Sequence, residues 1–95
     1  MENEKRIRLI TPTKKYKISF LQYTATGSVM SNCADITFFN NGANNVTLNS
    51  AIILYTGQSI SFSANSDEID TTTYYFSFQD TGKDNNLVVF RKEFV

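Results

Sequence analysis

Between Ser59 and Ala64 the chain alternates serine with Ile60, Phe62 and Ala64 in an unbroken period of two. On a helix that spacing would scatter the apolar residues around the whole circumference, whereas on a strand it gathers them on one face. A segment of this kind predicts an extended strand, dry on one side and wet on the other. Such a strand needs a second layer to cover its apolar side. The same signature recurs along the chain. Ile36 and Phe38 alternate with Asp35 and Thr37, and Tyr74, Phe76 and Phe78 share one face of residues 73–79. In residues 16–23, Tyr16, Ile18 and Phe20 oppose Lys17 and Ser19. From Leu87 to Glu93 both faces begin apolar, which predicts a strand covered on each side or central in a sheet.

Turn signals separate these runs. Asn40-Asn41-Gly42 predicts a tight hairpin joining residues 34–40 to 45–49, because Asn and Gly tolerate the positive φ that such turns need. Residues 24–28, around Gly27, read as a loop, and Gly57 and Gly82 mark further turns. Ile7, Leu9 and Ile10 predict a short first strand ended by Thr11-Pro12. Seven or eight short strands with no convincing helix predict an all-β fold, a single small antiparallel β-sandwich of jelly-roll or Ig-like type. One domain is expected at 95 residues. Its body is predicted over residues 16–95, with a basic arm over 1–15.

Formal charge is zero, but it is unevenly spread. Residues 1–17 hold Lys5, Arg6, Arg8, Lys14, Lys15 and Lys17 against Glu2 and Glu4, a net +4, and the remainder carries −4. A basic arm on an acidic body suits docking on another acidic protein or on a neighbouring copy, and equally suits a solvated terminus. Without a helical face or interleaved stacking aromatics, no specific nucleic-acid partner is expected. No apolar run approaches membrane-spanning length, and the charged start predicts no signal peptide.

Histidine is absent, which removes the commonest general base and metal ligand and makes Ser–His or Cys–His pairs impossible within the chain. Cys33 is the only cysteine, so it is expected to be a small buried apolar group. The glycines are isolated and form no phosphate loop. Asp67, Glu68 and Asp70 have the oxygen chemistry of a calcium site but not the spacing of a recognised loop, and a solvated bend is the favoured reading. No enzymatic activity, metal or cofactor is expected. Tyr23, Phe39, Tyr55 and Tyr75 lie opposite the expected core face, as contact anchors or as packing beneath loops and on the second sheet.

From Asp35 onward the pattern is more particular. It runs Ile36-Thr37-Phe38-Phe39-Asn40-Asn41-Gly42, then Val46-Thr47-Leu48-Asn49, then Leu54-Tyr55-Thr56-Gly57-Gln58-Ser59-Ile60-Ser61-Phe62. Glu68-Ile69-Asp70-Thr71-Thr72 and Asn86-Leu87-Val88-Val89-Phe90-Arg91-Lys92 complete it. Over about two-thirds of its length the chain resembles the small β-sandwich virion proteins of tailed bacteriophages, above all the auxiliary or decoration proteins of the head. The resemblance implies a non-catalytic structural protein that binds an assembled capsid or other virion proteins, with a homo-oligomer as a further option. It also implies location in the virion after assembly in the bacterial host cytoplasm. Partner-binding candidates are Lys5, Arg6, Arg8, Lys14, Lys15, Lys17, Tyr23, Tyr55 and Tyr75. The competing expectation is a carbohydrate- or receptor-binding β module of a tail fibre or tip.

Overall fold

The computed structural model describes residues 15–65, 67–80 and 84–95. Eight strands occupy them: β1 (Tyr16–Tyr23), β2 (Gly27–Met30), β3 (Asp35–Asn40), β4 (Val46–Leu48), β5 (Ile52–Leu54), β6 (Ser59–Ser63), β7 (Thr73–Phe78) and β8 (Leu87–Phe94). No helix occurs among the described residues. The first sheet has the order β1-β8-β3-β6 and the second β2-β7-β4-β5, and every pairing is antiparallel. The chain changes sheet at each connection but one: β4 runs directly into β5, its hydrogen-bonded neighbour, and β5 then returns to the first sheet at β6. Apart from β4–β5, no two consecutive strands pair. This winding, two four-stranded sheets with interleaved connections, is a jelly roll.

The inner faces carry the expected alternation. Phe38 sits fully buried at the centre, with the Tyr74 ring 5.0 Å and the Phe62 ring 6.3 Å away. Val46, Leu48, Leu54 and Phe76 close the layer from the second sheet, and Leu87 and Val89 from the first. Each such side chain contributes on the order of 2 kcal/mol through area removed from water. Between β1 and β3, β8 is the central strand, as its two apolar faces predicted. Cys33 is wholly buried, and burial, opposed by the Arg91 charge, pushes its thiol up to about 11. It is part of the core and an unreactive thiol at neutral pH.

Three expectations are corrected. Asn40-Asn41-Gly42 does not close a hairpin, because β3 and β4 lie in different sheets. The buried Asn40 side chain holds this crossover. Its Nδ2 donates to the carbonyls of Asn44 (2.8 Å) and Leu54 (2.9 Å), and its Oδ1 accepts from the Gly42 N–H (3.0 Å). Gly42 is required for space: a Cβ there would stand 2.5 Å from the backbone of Asp84 and Asn86. Gly27, expected in a loop, instead opens β2 opposite Phe76. Lastly, the Tyr16, Ile18 and Phe20 face of β1 points outward. The short strand expected at residues 7–10 and the centre of the turn at 81–83 lie outside the described residues.

Candidate protein-binding surface

The direction of β1 follows from its pairing. Leu21 stands opposite Val89 and Tyr23 opposite Leu87, both fully buried, so the odd positions of β1 face the second sheet. The even positions must then face out. Phe20 is 67% exposed, Tyr16 53% and Ile18 45%. On the neighbouring strand Phe90 meets Phe20 edge-on at 5.3 Å, Phe94 lies opposite Tyr16, and Val88 opposite Gln22. The next row inward adds Phe39, half-buried, beside Val88. An apolar band therefore runs along the β1–β8 side of the outer face. Within the band the polar residues are Gln22 and Lys92, and towards β3 and β6 it gives way to Asp35, Thr37 and the three serines.

At the Tyr16 end the inner face changes character, because the short second sheet no longer covers it. Ser19 donates to Glu93 Oε2 at 2.5 Å, and Arg91 Nη2 lies 2.8 Å from the same oxygen. Arg91 also donates to the Met30 and Ser31 carbonyls at 3.1 and 3.3 Å, tying the two sheets together. The Ser19 hydrogen bond outweighs the opposing desolvation and, with Arg91 and Lys17 nearby, holds the Glu93 carboxyl below its ordinary range. On the outer side the Lys92 ammonium stands 4.3 Å from the centre of the Tyr16 ring and 3.9 Å from Asp35, a cation–π contact beside a loose ion pair.

The candidate residues read from the sequence do not form one site. Lys5, Arg6, Arg8 and Lys14 lie outside the described residues. Lys15 and Lys17 are exposed at the start of β1. Tyr23 is half-buried, with its ring 4.8 Å from that of Phe76, and so serves the core. Tyr55, 54% exposed, stands in the turn between β5 and β6; Tyr75, 62% exposed, stands on the outer face of the second sheet. They therefore belong to separate parts of the surface. The residues missed are Tyr16, Ile18 and Phe20. The available signal was Leu21 and Tyr23, whose odd positions compete for the core with the even ones before them.

The acidic bend is occupied by internal bonding. Asp70 accepts from the Thr72 N–H (2.8 Å) and the Tyr74 hydroxyl (2.7 Å), and Glu68 accepts from the Asn65 N–H (3.1 Å). Burial would raise the Asp70 carboxyl, but these bonds, with Ser31 beside them, hold it below its usual value. Burial and the same carboxylate push Tyr74 up to about 12. Among the described residues no group of three or more acidic or sulfur ligands gathers, and no helix is long and apolar enough to cross a membrane. No protein family, curated protein or solved structure matches the chain.

Proposed function

We propose that the chain is a non-catalytic virion structural protein of a tailed bacteriophage, an auxiliary protein that binds an assembled capsid lattice. The observation that carries this reading is the outward row Tyr16, Ile18 and Phe20, continued by Phe90 and Phe94. A domain of this size stabilises itself by facing such residues inward, and a contiguous apolar band left outside suits a protein surface that covers it. The basic segment immediately precedes this band in the sequence, so charge steering and apolar contact would come from consecutive stretches of chain. The specific choice of a phage head rests on the sequence resemblance. Co-sedimentation with particles assembled without the protein tests the reading. Deleting residues 1–15, or replacing Phe20 with Lys, should lower occupancy while the circular dichroism spectrum stays that of a β fold. Full occupancy by both variants would reject it.

A carbohydrate-binding role has one observation in its favour. Exposed Tyr55 is the chain neighbour of Thr56, which with Asn41, Asp84 and Asn86 lines a shallow groove. Most of the surrounding amides are spent within the fold, Asn85 on the Asp80 carbonyl and Gln22 on Asn86. A glycan array that retains the protein, and loses it on Tyr55→Ala, would favour this role over capsid binding.

A further inference from the structure

Among the described residues β1 is an edge strand, eight residues long, without proline or bulge. Its pairing with β8 fixes which backbone groups have no partner among the described strands. The Val95 N–H donates to the Lys15 carbonyl at 3.1 Å, and Lys15 and Val95 continue the register that pairs Tyr16 with Phe94. In an antiparallel ladder hydrogen-bonded and non-hydrogen-bonded positions alternate. The odd residues of β1 thus bond to β8. The N–H and C=O groups of Tyr16, Ile18, Phe20 and Gln22 point away from the sheet, four donors and four acceptors on one straight edge. Long exposed edges of this kind are templates for another strand, and proteins normally blunt them with charge, proline or a bulge. The only charged side chain within β1 is Lys17, on the inner face.

We propose that this edge pairs with the β1 edge of a second copy, antiparallel about a two-fold axis through Ser19, to join two four-stranded sheets into one of eight strands. The register is determined by the strand itself. With Ser19 opposite its symmetry mate, Tyr16 meets Gln22, Ile18 meets Phe20, and all four outward residues find hydrogen-bonding partners. On the outer face the Ile18–Phe20 contact occurs twice, an aromatic against a β-branched side chain, a favourable cross-strand combination. On the inner face Lys17 falls opposite Leu21, so the two Lys17 ammonium groups do not oppose each other.

The join covers the two strand edges and the facing flanks of Ile18 and Phe20, and leaves the outer faces of the rings open. A pairing of this kind is isologous and closes on itself, so it yields a dimer and no open fibre. It does not depend on the capsid reading and also leaves the apolar outer bands of both copies side by side.

Sedimentation velocity over a dilution series tests the proposal, using the whole chain and two variants. Ile18→Pro removes an outward N–H that pairs with no other described strand, a substitution edge strands tolerate. Phe20→Lys sets two ammonium groups across the proposed join. The unaltered protein is expected to sediment with the mass of two copies, and both variants with the mass of one while retaining β circular dichroism. If Ile18→Pro does not fold, Phe20→Lys decides alone. A monomeric unaltered protein overturns the proposal, and so does a dimer that survives Phe20→Lys. A monomer whose Ile18 and Phe20 amides are nevertheless protected from hydrogen exchange would place its own arm on the edge, which also overturns it. Capsid co-sedimentation of the Ile18→Pro monomer separates this result from the functional reading.

Discussion

β1 and β6 bound the same sheet, and both alternate apolar with polar side chains, yet they do so in opposite phase. In β6, Ile60 and Phe62 face the core and Ser59, Ser61 and Ser63 face water. In β1, Tyr16, Ile18 and Phe20 face water and Ser19 faces inward. The period of two is a property of the strand, but its phase is imposed by the neighbours. β6 is locked by Phe38 and Tyr74, against which Phe62 packs. β1 is locked at its far end, by Leu21 and Tyr23 over buried partners, and its near half extends past the cover of the second sheet. There the inner face carries Ser19, Arg91 and Glu93 because no apolar layer lies opposite.

The largest test of this contrast concerns the residue that fixes β3 between the two edges. Asn40→Ala leaves the Gly42 N–H and the Asn44 and Leu54 carbonyls without their partner, and should cost about 3 kcal/mol in urea denaturation. A loss under about 1 kcal/mol would mean that the crossover does not fix the phase. Phe62→Ala should cost about 2 kcal/mol, less than a fully buried phenylalanine, while Phe20→Ala stays within about 0.5 kcal/mol under conditions where the protein is monomeric. Equal costs at the two edges would break the comparison.

Next in size is an acid effect. Asp70 titrates below its unfolded value, so it contributes stability that is complete above about pH 4 and is lost as pH falls through the depressed value. Asp70→Asn should flatten the acid limb of the stability curve; an unchanged limb would show that the bend does not hold the Cys33 end of the sandwich. The smallest effect belongs to the wet face of β6. Ser61→Ala removes a 2.7 Å hydroxyl contact with Thr37 and should cost about 0.5 kcal/mol or less, a fall of at most about 4 °C in the melting temperature.

How far the sequence carried the fold depends on which residues had a rival for the core. The all-β sandwich was legible because β6 and β7 offer a single way to bury most of their apolar residues, and the interior place of β8 followed from its two apolar faces. The crossover at Asn40 was not legible. Asn-Gly is as good a signal for a hairpin as for a close approach, and only the packing of Gly42 beneath Asp84 and Asn86 separates them. The apolar outer band was hidden for a different reason: Tyr16, Ile18 and Phe20 look like core residues until Leu21 and Tyr23 claim the inner side. The tyrosines that looked like contact anchors are divided by the fold itself, Tyr23 to the core and Tyr55 and Tyr75 to separate surfaces.

The winding of the two sheets also has a kinetic side. Among the described strands only β4 and β5 meet as a local hairpin, Val46 against Leu54, while β1 must wait for β8 from far along the chain. Native pairing is thus mostly between segments far apart in sequence, the condition under which small domains fold slowly. During synthesis the first sheet cannot assemble until residues 87–94 have left the ribosome. Until then the β1 edge and its phenylalanine are open to every other nascent copy, and an encounter that formed the proposed dimer would compete with the one that completes a monomer.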